Sequence, residues 1–474
     1  MDGAAGNVPL GTPLTRYRLA MLMAILLVFA SQQFIAFQKP FALARLLQVD
    51  DLGLVTKWLG VSVSLLLVVV LVEYAWAFIP RLSRRRSEFK PRVRSAGFYE
   101  SAFYLLASLF LFGDLQGRLL RGLVPVHPSP PLATALVWMP AWAVLFAATS
   151  RLKAQVDVDL VRFLFLVALT RSTMTASVPF DTLYADMLKT IDRSLGLLLA
   201  GSFPYIDAPP PSLPYWPLTF LAYLPTRLMG WDLRATNLAV DLATVALALR
   251  FGIDRRKDAS RAISARLSLP LLMLYRSWAS FSVDTQYPVS ILFAVLFARS
   301  LATKGGTTQA LVLGSAVAAN QTYGILGLFV LPFWVRRYGP RRTVRMTLIA
   351  LTTCMVFIGP FVLWNAREFF RVTLLSLEPF SASLLAGRFS LRPLVEGAFP
   401  HASLWLVGLT ILVVWVLNWM QDDRVRIAAT TAIGYCVFLL LLHRSFAHYY
   451  LPVMAMIVCL NYEPSADSDE PPRS

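Results

Sequence analysis

Long apolar runs separated by short polar segments fill nearly the whole chain. Runs of about 17 to 25 apolar residues have the length of a helix that crosses the lipid core of a membrane. The first two are 17–37 and 57–80, and similar runs recur until 451–461. The pattern predicts an all-α integral membrane protein, a transmembrane bundle of about 14 spans, or about 12 to 14 because some runs are short.

Composition supports this prediction and excludes one class of partner. Hydrophobic residues make up 57% of the chain and charged residues only 15%, whereas a soluble domain carries about 25% charged residues. The net charge is +17, which in a soluble protein would suggest nucleic acid. Here the basic residues gather in short loops between apolar runs, which is typical of cytoplasmic loops. We therefore expect membrane lipids, and no nucleic acid, as partners.

The same charge bias predicts the orientation of the chain. The loops 81–94, 251–261 and 335–345 are strongly basic, so they are expected in the cytoplasm, together with both termini. The multi-pass protein would then lie in the cell membrane with two long non-cytoplasmic loops, 177–232 and 365–403. The proline-punctuated stretch 215–229 is too short to span and predicts an interfacial or re-entrant helix.

Three acidic residues follow directly after a predicted membrane exit. Asp181, Asp186 and Asp192 lie within twelve residues of the first long loop. A carboxylate at such a position could act as the general base on an acceptor hydroxyl. The alternative is structural, because Asp181 near a helix start could cap the helix and favour its dipole.

Arginines on the non-cytoplasmic side are the second group of candidates. They are Arg276, Arg367, Arg371, Arg388 and Arg392, four of them in the second long loop. Guanidinium groups hold phosphate through paired hydrogen bonds. The alternative is that each arginine anchors the chain to lipid headgroups.

The last non-cytoplasmic turn, 443–450, adds His448 and Tyr449 as candidate substrate contacts. His443 and His448 are five residues apart, which does not place both on one helix face, so no metal site is predicted from them. The chain contains no nucleotide-binding fingerprint and no zinc-protease motif. No cofactor is predicted, and a divalent metal stays an open alternative.

Two stretches of the first long loop carry a family resemblance. They read DMLKTIDRSLGLLLAGSFPY (186–205) and PPPSLPYWPLTFLAYLPTRLMG (209–230). With PFVLWNAREFFR (360–371) and HYYLPV (448–453), they resemble the GT-C superfamily of polytopic glycosyltransferases, closest to its bacterial mannosyltransferase-like branch. The matching residues are Asp186, Gly201, Pro204, Tyr205, Pro214 to Pro217, Gly230 and Arg234.

The resemblance implies an inverting glycosyltransferase whose active site faces the non-cytoplasmic side. Its donor would be a polyprenyl-phosphate sugar (mannose or another hexose or pentose), and its acceptor a lipid, a glycan or a protein. Asp186 would be the catalytic base. Asp181 is the alternate, since it begins an Asp-x-x-Tyr pattern with Tyr184. The arginines would hold the lipid phosphate.

The predicted organisation has three parts. Residues 1–150 form an N-terminal transmembrane extension of unknown role, because relatives place the catalytic loop after the first span and not after the fifth. Residues 151–462 form the catalytic core, and 463–474 form a disordered cytoplasmic tail. A transporter or flippase of a lipid-linked sugar is the alternative function, although charged residues concentrated in the outer loops favour the enzyme.

Overall fold

The computed structural model describes a set of helices between residues 164 and 460. The described residues are 164, 167–168, 171–172, 175, 180–182, 187–205, 215–250, 282–283, 285–303, 305–375, 401–422, 424–442 and 447–460. This part of the chain is 88% helix and contains no strand, which confirms the all-α prediction for it. The predicted extension 1–150 and tail 463–474 lie outside the described residues.

The helices fall into a loop segment followed by a bundle. The loop segment contains α1 (Met187–Leu199), α2 (Pro217–Leu221) and α3 (Leu224–Leu228). The bundle contains α4 (Arg234–Arg250), α5 (Tyr287–Thr303), α6 (Gly306–Ala319), α7 (Gly324–Tyr338), α8 (Pro340–Phe370), α9 (Ala402–Met420), α10 (Arg424–Leu441) and α11 (Leu451–Leu460). Single turns Phe180–Thr182, Gln321–Tyr323 and Ala447–Tyr450 join them, and Arg371–Leu375 extends α8 as a π-helical turn.

Contacts between helix termini define the two ends of the bundle. At the first, which we call the loop end, Tyr287 stacks on Tyr449 and the Tyr323 hydroxyl donates to the Ser290 carbonyl at 2.8 Å. The loop end comprises 282–287, 319–324, 361–373 and 447–451, with the loop segment. At the second, the basic end, Arg336 pairs with Asp422 at 2.7 Å. The basic end comprises 303–309, 334–345 and 418–424.

Small residues let the bundle helices approach closely. A Cβ atom added to Gly314 of α6 would lie 2.3 Å from the Ala350 carbonyl oxygen of α8. Gly434 of α10 is similarly close to Val414 of α9, whose Cγ2 atom would lie 2.6 Å away. Such contacts are typical where van der Waals packing, and not water exclusion, holds helices together.

Two of the described helices are long and apolar enough to cross a membrane. They are Pro340–Thr373 and Ala402–Met420, and only 33% and 17% of their most apolar windows are buried. Leu363 of α8 and Trp405 of α9 expose 89% and 80% of their surface. Apolar helices that keep their side chains outward in this way fit a lipid environment better than a soluble core.

The predicted start of α8 was wrong, and its predicted end, at the start of the second long loop, falls on a kink. The basic segment 335–345, predicted as a loop, is the end of α7 and the first turn of α8, with only Gly339 between them. Gly339 has φ 79°, which glycine adopts without strain. At the other end, Asn365 has non-helical φ and ψ angles, yet its side chain accepts from the Glu368 N–H at 3.2 Å. The helix therefore kinks and restarts.

The stretch 215–229 is too short to span, as predicted, but it forms two helices and not one. α2 and α3 contain five residues each. Pro225 occupies the beginning of α3, where its missing N–H has no partner to lose. The Thr219 hydroxyl donates to the Ala319 carbonyl, so α2 is fixed on the loop end of α6.

Candidate functional site

A buried tyrosine joins the loop segment to the end of α8. The Tyr205 hydroxyl donates to the Tyr215 carbonyl at 2.9 Å. Its ring meets those of Phe361 and Phe369 edge to face, with centroids 5.7 and 4.9 Å apart. Such aromatic pairs each add about 0.5–1.5 kcal/mol beyond burial. The Pro-Tyr pair of the resemblance is thus a structural anchor.

The two predicted non-cytoplasmic loops meet in this cluster. Leu188, Ile191 and Leu195 form the buried face of α1, and they belong to one apolar cluster with Phe361 and Val372 of α8 and its extension. The loop segment is therefore packed on the start of the second long loop. Residues 376–400 of that loop lie outside the described residues.

Asp181 lies in the single turn Phe180–Thr182 with its side chain exposed. The Lys189 ammonium donates to the Asp181 main-chain carbonyl at 2.7 Å, which fixes the turn against α1 and leaves the carboxylate outside that bond. Because α1 begins at Met187, Asp181 does not cap α1. Asp186, the favoured base, directly precedes Met187 and lies outside the described residues.

Arg234, which the resemblance singled out, is held by a neighbouring carboxylate. Its Nε lies 2.9 Å from both Asp232 carboxylate oxygens, and the residue is only 5% exposed. Burial raises the pKa of the Asp232 carboxyl, but the hydrogen bonds and charge of Arg234 outweigh burial and hold it below its ordinary value. The guanidinium also lies 5.8 Å above the Phe180 ring. Arg234 therefore supports the turn that carries Asp181.

The two described arginines among the phosphate candidates differ in their surroundings. Arg371 is half-buried and pairs with Glu368, with Nη2 at 2.6 Å and Nε at 3.0 Å from Oε2. Arg367 is exposed, and no described carboxylate lies within ion-pair distance of it. Arg367 is therefore the better placed of the two to meet a ligand's charge. Arg276, Arg388 and Arg392 lie outside the described residues.

The turn Ala447–Tyr450 brings the end of the chain to the same place. The Tyr449 ring stacks on Tyr287, with centroids 5.6 Å apart and an angle of 27°. Nearby, the Tyr323 ring meets that of Tyr435 of α10 edge to face, with centroids 5.5 Å apart. The backbone of His448 lies in this turn, and its side chain is outside the description. Two tyrosine pairs, drawn from α5, α10 and the turns Gln321–Tyr323 and Ala447–Tyr450, thus lie at the loop end.

A buried ion pair beneath the loop end was not predicted. Arg171 Nε lies 2.7 Å from Asp241 Oδ2, and the two side chains are 2% and 1% exposed. The Ser282 hydroxyl donates to the same Asp241 oxygen. Both residues lie in apolar runs of the sequence. An ionisable residue in such a run usually has a structural or functional role. Nothing in the sequence indicates that residues 70 positions apart would pair.

Asn237 extends this network towards the loop segment. Its amide nitrogen donates to the carbonyls of Ser282 and Thr285 at 2.6 and 2.8 Å. The Tyr223 hydroxyl donates to the Asn237 side-chain oxygen. One turn of α4 therefore fixes both the start of α5 and the connection between α2 and α3, which keeps the loop segment in place.

The loop end thus presents the exposed carboxylate of Asp181 and the exposed guanidinium of Arg367, which can take a proton and meet a phosphate, together with the partly exposed ring of Tyr449. Among the described residues, no three His, Cys, Asp or Glu side chains are grouped so that they could hold a metal ion. No protein-family model, no curated protein and no solved structure matches the chain.

Proposed function

We propose that the chain is a multi-pass membrane glycosyltransferase that transfers a sugar from a polyprenyl-phosphate donor at the loop end. The observation that carries the proposal is the packing of the loop segment on the end of α8 through Tyr205, Phe361 and Phe369. This packing puts the Asp181 turn and Arg367 at one end of the bundle. A base and a phosphate ligand are both needed there for the reaction.

In the proposed reaction, a carboxylate takes the proton of the acceptor hydroxyl. Asp186 is the first candidate for this base and Asp181 is the second. The acceptor oxygen then forms a bond to the anomeric carbon from the side opposite the phosphate, and the bond between that carbon and the phosphate oxygen breaks. Polyprenyl phosphate leaves, and its charge is stabilised by an arginine, for which we propose Arg367. The product has the inverted anomeric configuration.

The membrane-length helices support the choice of a lipid-linked donor. α8 and α9 expose apolar side chains along most of their length, and α8 carries Arg367 in its last turn. A prenyl chain lying along these helices would bring its phosphate to the level of that arginine. Successive helices of the bundle run in alternate directions, and arginines are concentrated at the basic end. Both features support a multi-pass topology whose loop end is non-cytoplasmic.

The test is sugar transfer from a panel of radiolabelled polyprenyl-phosphate sugars in membranes that contain the wild type or single variants. Asp186→Asn should abolish transfer if Asp186 is the base, and Asp181→Asn should abolish it if the alternate is right. Asp192→Asn is the matched control, because Asp192 lies on α1 of the same loop but pairs with Arg227 at 3.3 Å. Transfer that survives in both Asp181→Asn and Asp186→Asn would contradict the proposed mechanism.

A transporter of a lipid-linked sugar is the second candidate, and the buried pair Arg171–Asp241 favours it. Charges inside apolar helices are typical of transport pathways and proton relays. The discriminating measurement is movement of labelled lipid-linked sugar across proteoliposomes. Movement without transfer, lost in Asp241→Asn, would replace the enzyme by the transporter. Transfer without movement would exclude the transporter.

A further inference from the structure

Large apolar side chains are exposed where α1 and α3 of the loop segment end. They are Leu199 at the end of α1 and Leu228, Met229 and Trp231 at the end of α3. Their exposed fractions are 50%, 65%, 60% and 63%. Single exposed apolar residues are ordinary, but a group of large ones marks an interaction surface. We call these four residues the apolar tip.

The backbone turns that end α1 and α3 have the same geometry. Gly201 and Gly230 have φ of 72° and 67°, and each follows its helix as a left-handed cap. In α3, the Trp231 N–H donates to the Thr226 carbonyl at 3.0 Å, which completes the cap. The residue at this position commonly packs back on its own helix. Trp231 stays 63% exposed instead, so the cap presents the indole ring outward.

Two exposed arginines lie on the helices that carry the tip. Asp192 of α1 and Arg227 of α3 are 3.3 Å apart, which holds the two helices side by side. Arg227 and Arg193 are both exposed. Large apolar side chains next to arginines have the chemistry of a membrane interface, where rings and aliphatic chains enter the headgroup region and guanidinium groups meet lipid phosphate.

The segment that follows Leu199 contacts the membrane-length helix α8. Phe203, four residues after Leu199, contacts Trp364 edge to face with centroids 5.6 Å apart. Trp364 is 48% exposed and its neighbour Leu363 is 89% exposed, directly before the kink at Asn365. A tryptophan at the end of an apolar helix marks the boundary between lipid and headgroups.

We propose that the apolar tip inserts into the headgroup region of the bilayer, so that α1 and α3 rest on the membrane surface at the loop end. Trp231, Met229 and the two leucines contact lipid, and Arg193 and Arg227 face its phosphates. The inference does not rest on the proposed sugar transfer. It holds the candidate site at the level of lipid headgroups whatever the site binds.

The experiment measures depth with nitroxide labels. Leu228→Cys and Met229→Cys are labelled singly in a chain whose Cys354, Cys436 and Cys459 are replaced by alanine, and the protein is placed in vesicles of phosphatidylethanolamine and phosphatidylglycerol. Collisions with oxygen report lipid, and collisions with a nickel chelate report water. Leu363→Cys is the lipid reference, and Ser474→Cys in the acidic tail is the water reference.

Both tip labels should collide with oxygen in preference to the chelate, with a ratio near that of Leu363→Cys and several-fold above that of Ser474→Cys. A ratio equal to that of Ser474→Cys would show a tip in water and overturn the proposal. Immobile labels shielded from both reagents would show a protein partner and overturn it too. Because both side chains are exposed, a label at either position displaces no packed group, and monodisperse elution checks each variant's fold.

Discussion

The loop end and the basic end of the bundle hold their arginines in different ways. At the loop end, Arg234, Arg371 and Arg227 each face a carboxylate of a nearby residue or helix. At the basic end, the three arginines at the start of α8 are exposed, and Arg336 has a carboxylate partner in Asp422. Most of the described arginines named at the loop end thus fix the local structure, with Arg367 as the exception, whereas those at the start of α8 are directed to the surroundings.

Helix α8 shows this difference within one element. Its first two turns carry Arg341, Arg342 and Arg345, which are exposed and suit anionic lipid headgroups. Its last turn carries Arg367, exposed beside the pair formed by Glu368 and Arg371. An arginine near a helix end therefore cannot be assigned from sequence as a lipid anchor or as a ligand of substrate. Whether such an arginine is paired or exposed depends on the carboxylates that the fold brings near it.

The largest expected effect comes from breaking the buried pair beneath the loop end. Asp241→Ala removes the carboxylate from a buried guanidinium, so the free energy of unfolding should fall by about 3–5 kcal/mol. Heat inactivation of the detergent-solubilised protein measures the loss. Ser282→Ala, which removes one hydroxyl bond, is the milder control at about 1 kcal/mol. Equal effects of the two variants would contradict a charge-based role.

The two ends of α8 can be compared by matched substitutions. Arg367→Gln should lower kcat/KM for the polyprenyl-phosphate donor about 10- to 100-fold, because a hydrogen bond to a charged group contributes about 1.5–3 kcal/mol. Arg341→Gln, an exposed arginine at the other end of the same helix, should leave kcat/KM unchanged. Sugar transfer at several donor concentrations measures both. Equal losses would mean that neither arginine meets the donor.

Glycine substitutions test whether the backbone geometry differs between the loop end and the basic end. Gly230→Ala at the loop end forces a side chain into the left-handed region and should destabilise the protein by about 1–2 kcal/mol. Gly305 at the basic end has φ of −70° and open space around it, so Gly305→Ala introduces no backbone strain and should cost only about 0.5 kcal/mol, because alanine is a poorer N-cap than glycine. Thermal unfolding of the two variants side by side checks the order, and a reversed order would contradict the cap at Gly230.

The smallest effect is expected at the exposed pair of the basic end. Asp422→Asn removes the partner of Arg336, whose side chains are 78% and 36% exposed. Exposed pairs contribute about 0.2–1 kcal/mol and are weakened by salt. The difference in unfolding temperature from the wild type should therefore shrink between low and high salt. A large difference that is independent of salt would show that this pair is shielded from solvent.

The apolar runs predicted most helices of the bundle to within a few residues. The apolar runs 233–251, 285–300, 307–319 and 404–420 match α4, α5, α6 and α9 to within three residues at either end, because run length and turn residues determine them. The same reasoning failed at 340–345. Charge bias indicates on which side of a membrane a segment lies, but it does not indicate that the segment leaves the helix, and arginine is a good helix former.

The candidate site was predicted unevenly. Glu368 and Arg371 are three residues apart, a spacing that favours a pair on a helix, so their contact could have been foreseen. Gly201, Gly230 and Tyr205 were singled out by resemblance, and their geometry explains them as caps and an anchor. The pair Arg171–Asp241 and the tyrosine pairs depend on how distant helices pack, which no local pattern contains. The roles of Asp181, Asp186 and the arginines remain predictions.

The stacking of Tyr449 on Tyr287 has a consequence for the order of events during synthesis. Helices α5 to α8 follow one another with very short connections, so each can pair with its predecessor as soon as it emerges. α11 also packs on α5, but it is translated after all of them. A chain stalled before residue 447 would hold the Asp181 turn and all of α8, yet Tyr287 would lack its stacking partner. The loop end can therefore be completed only after α11 has been synthesised.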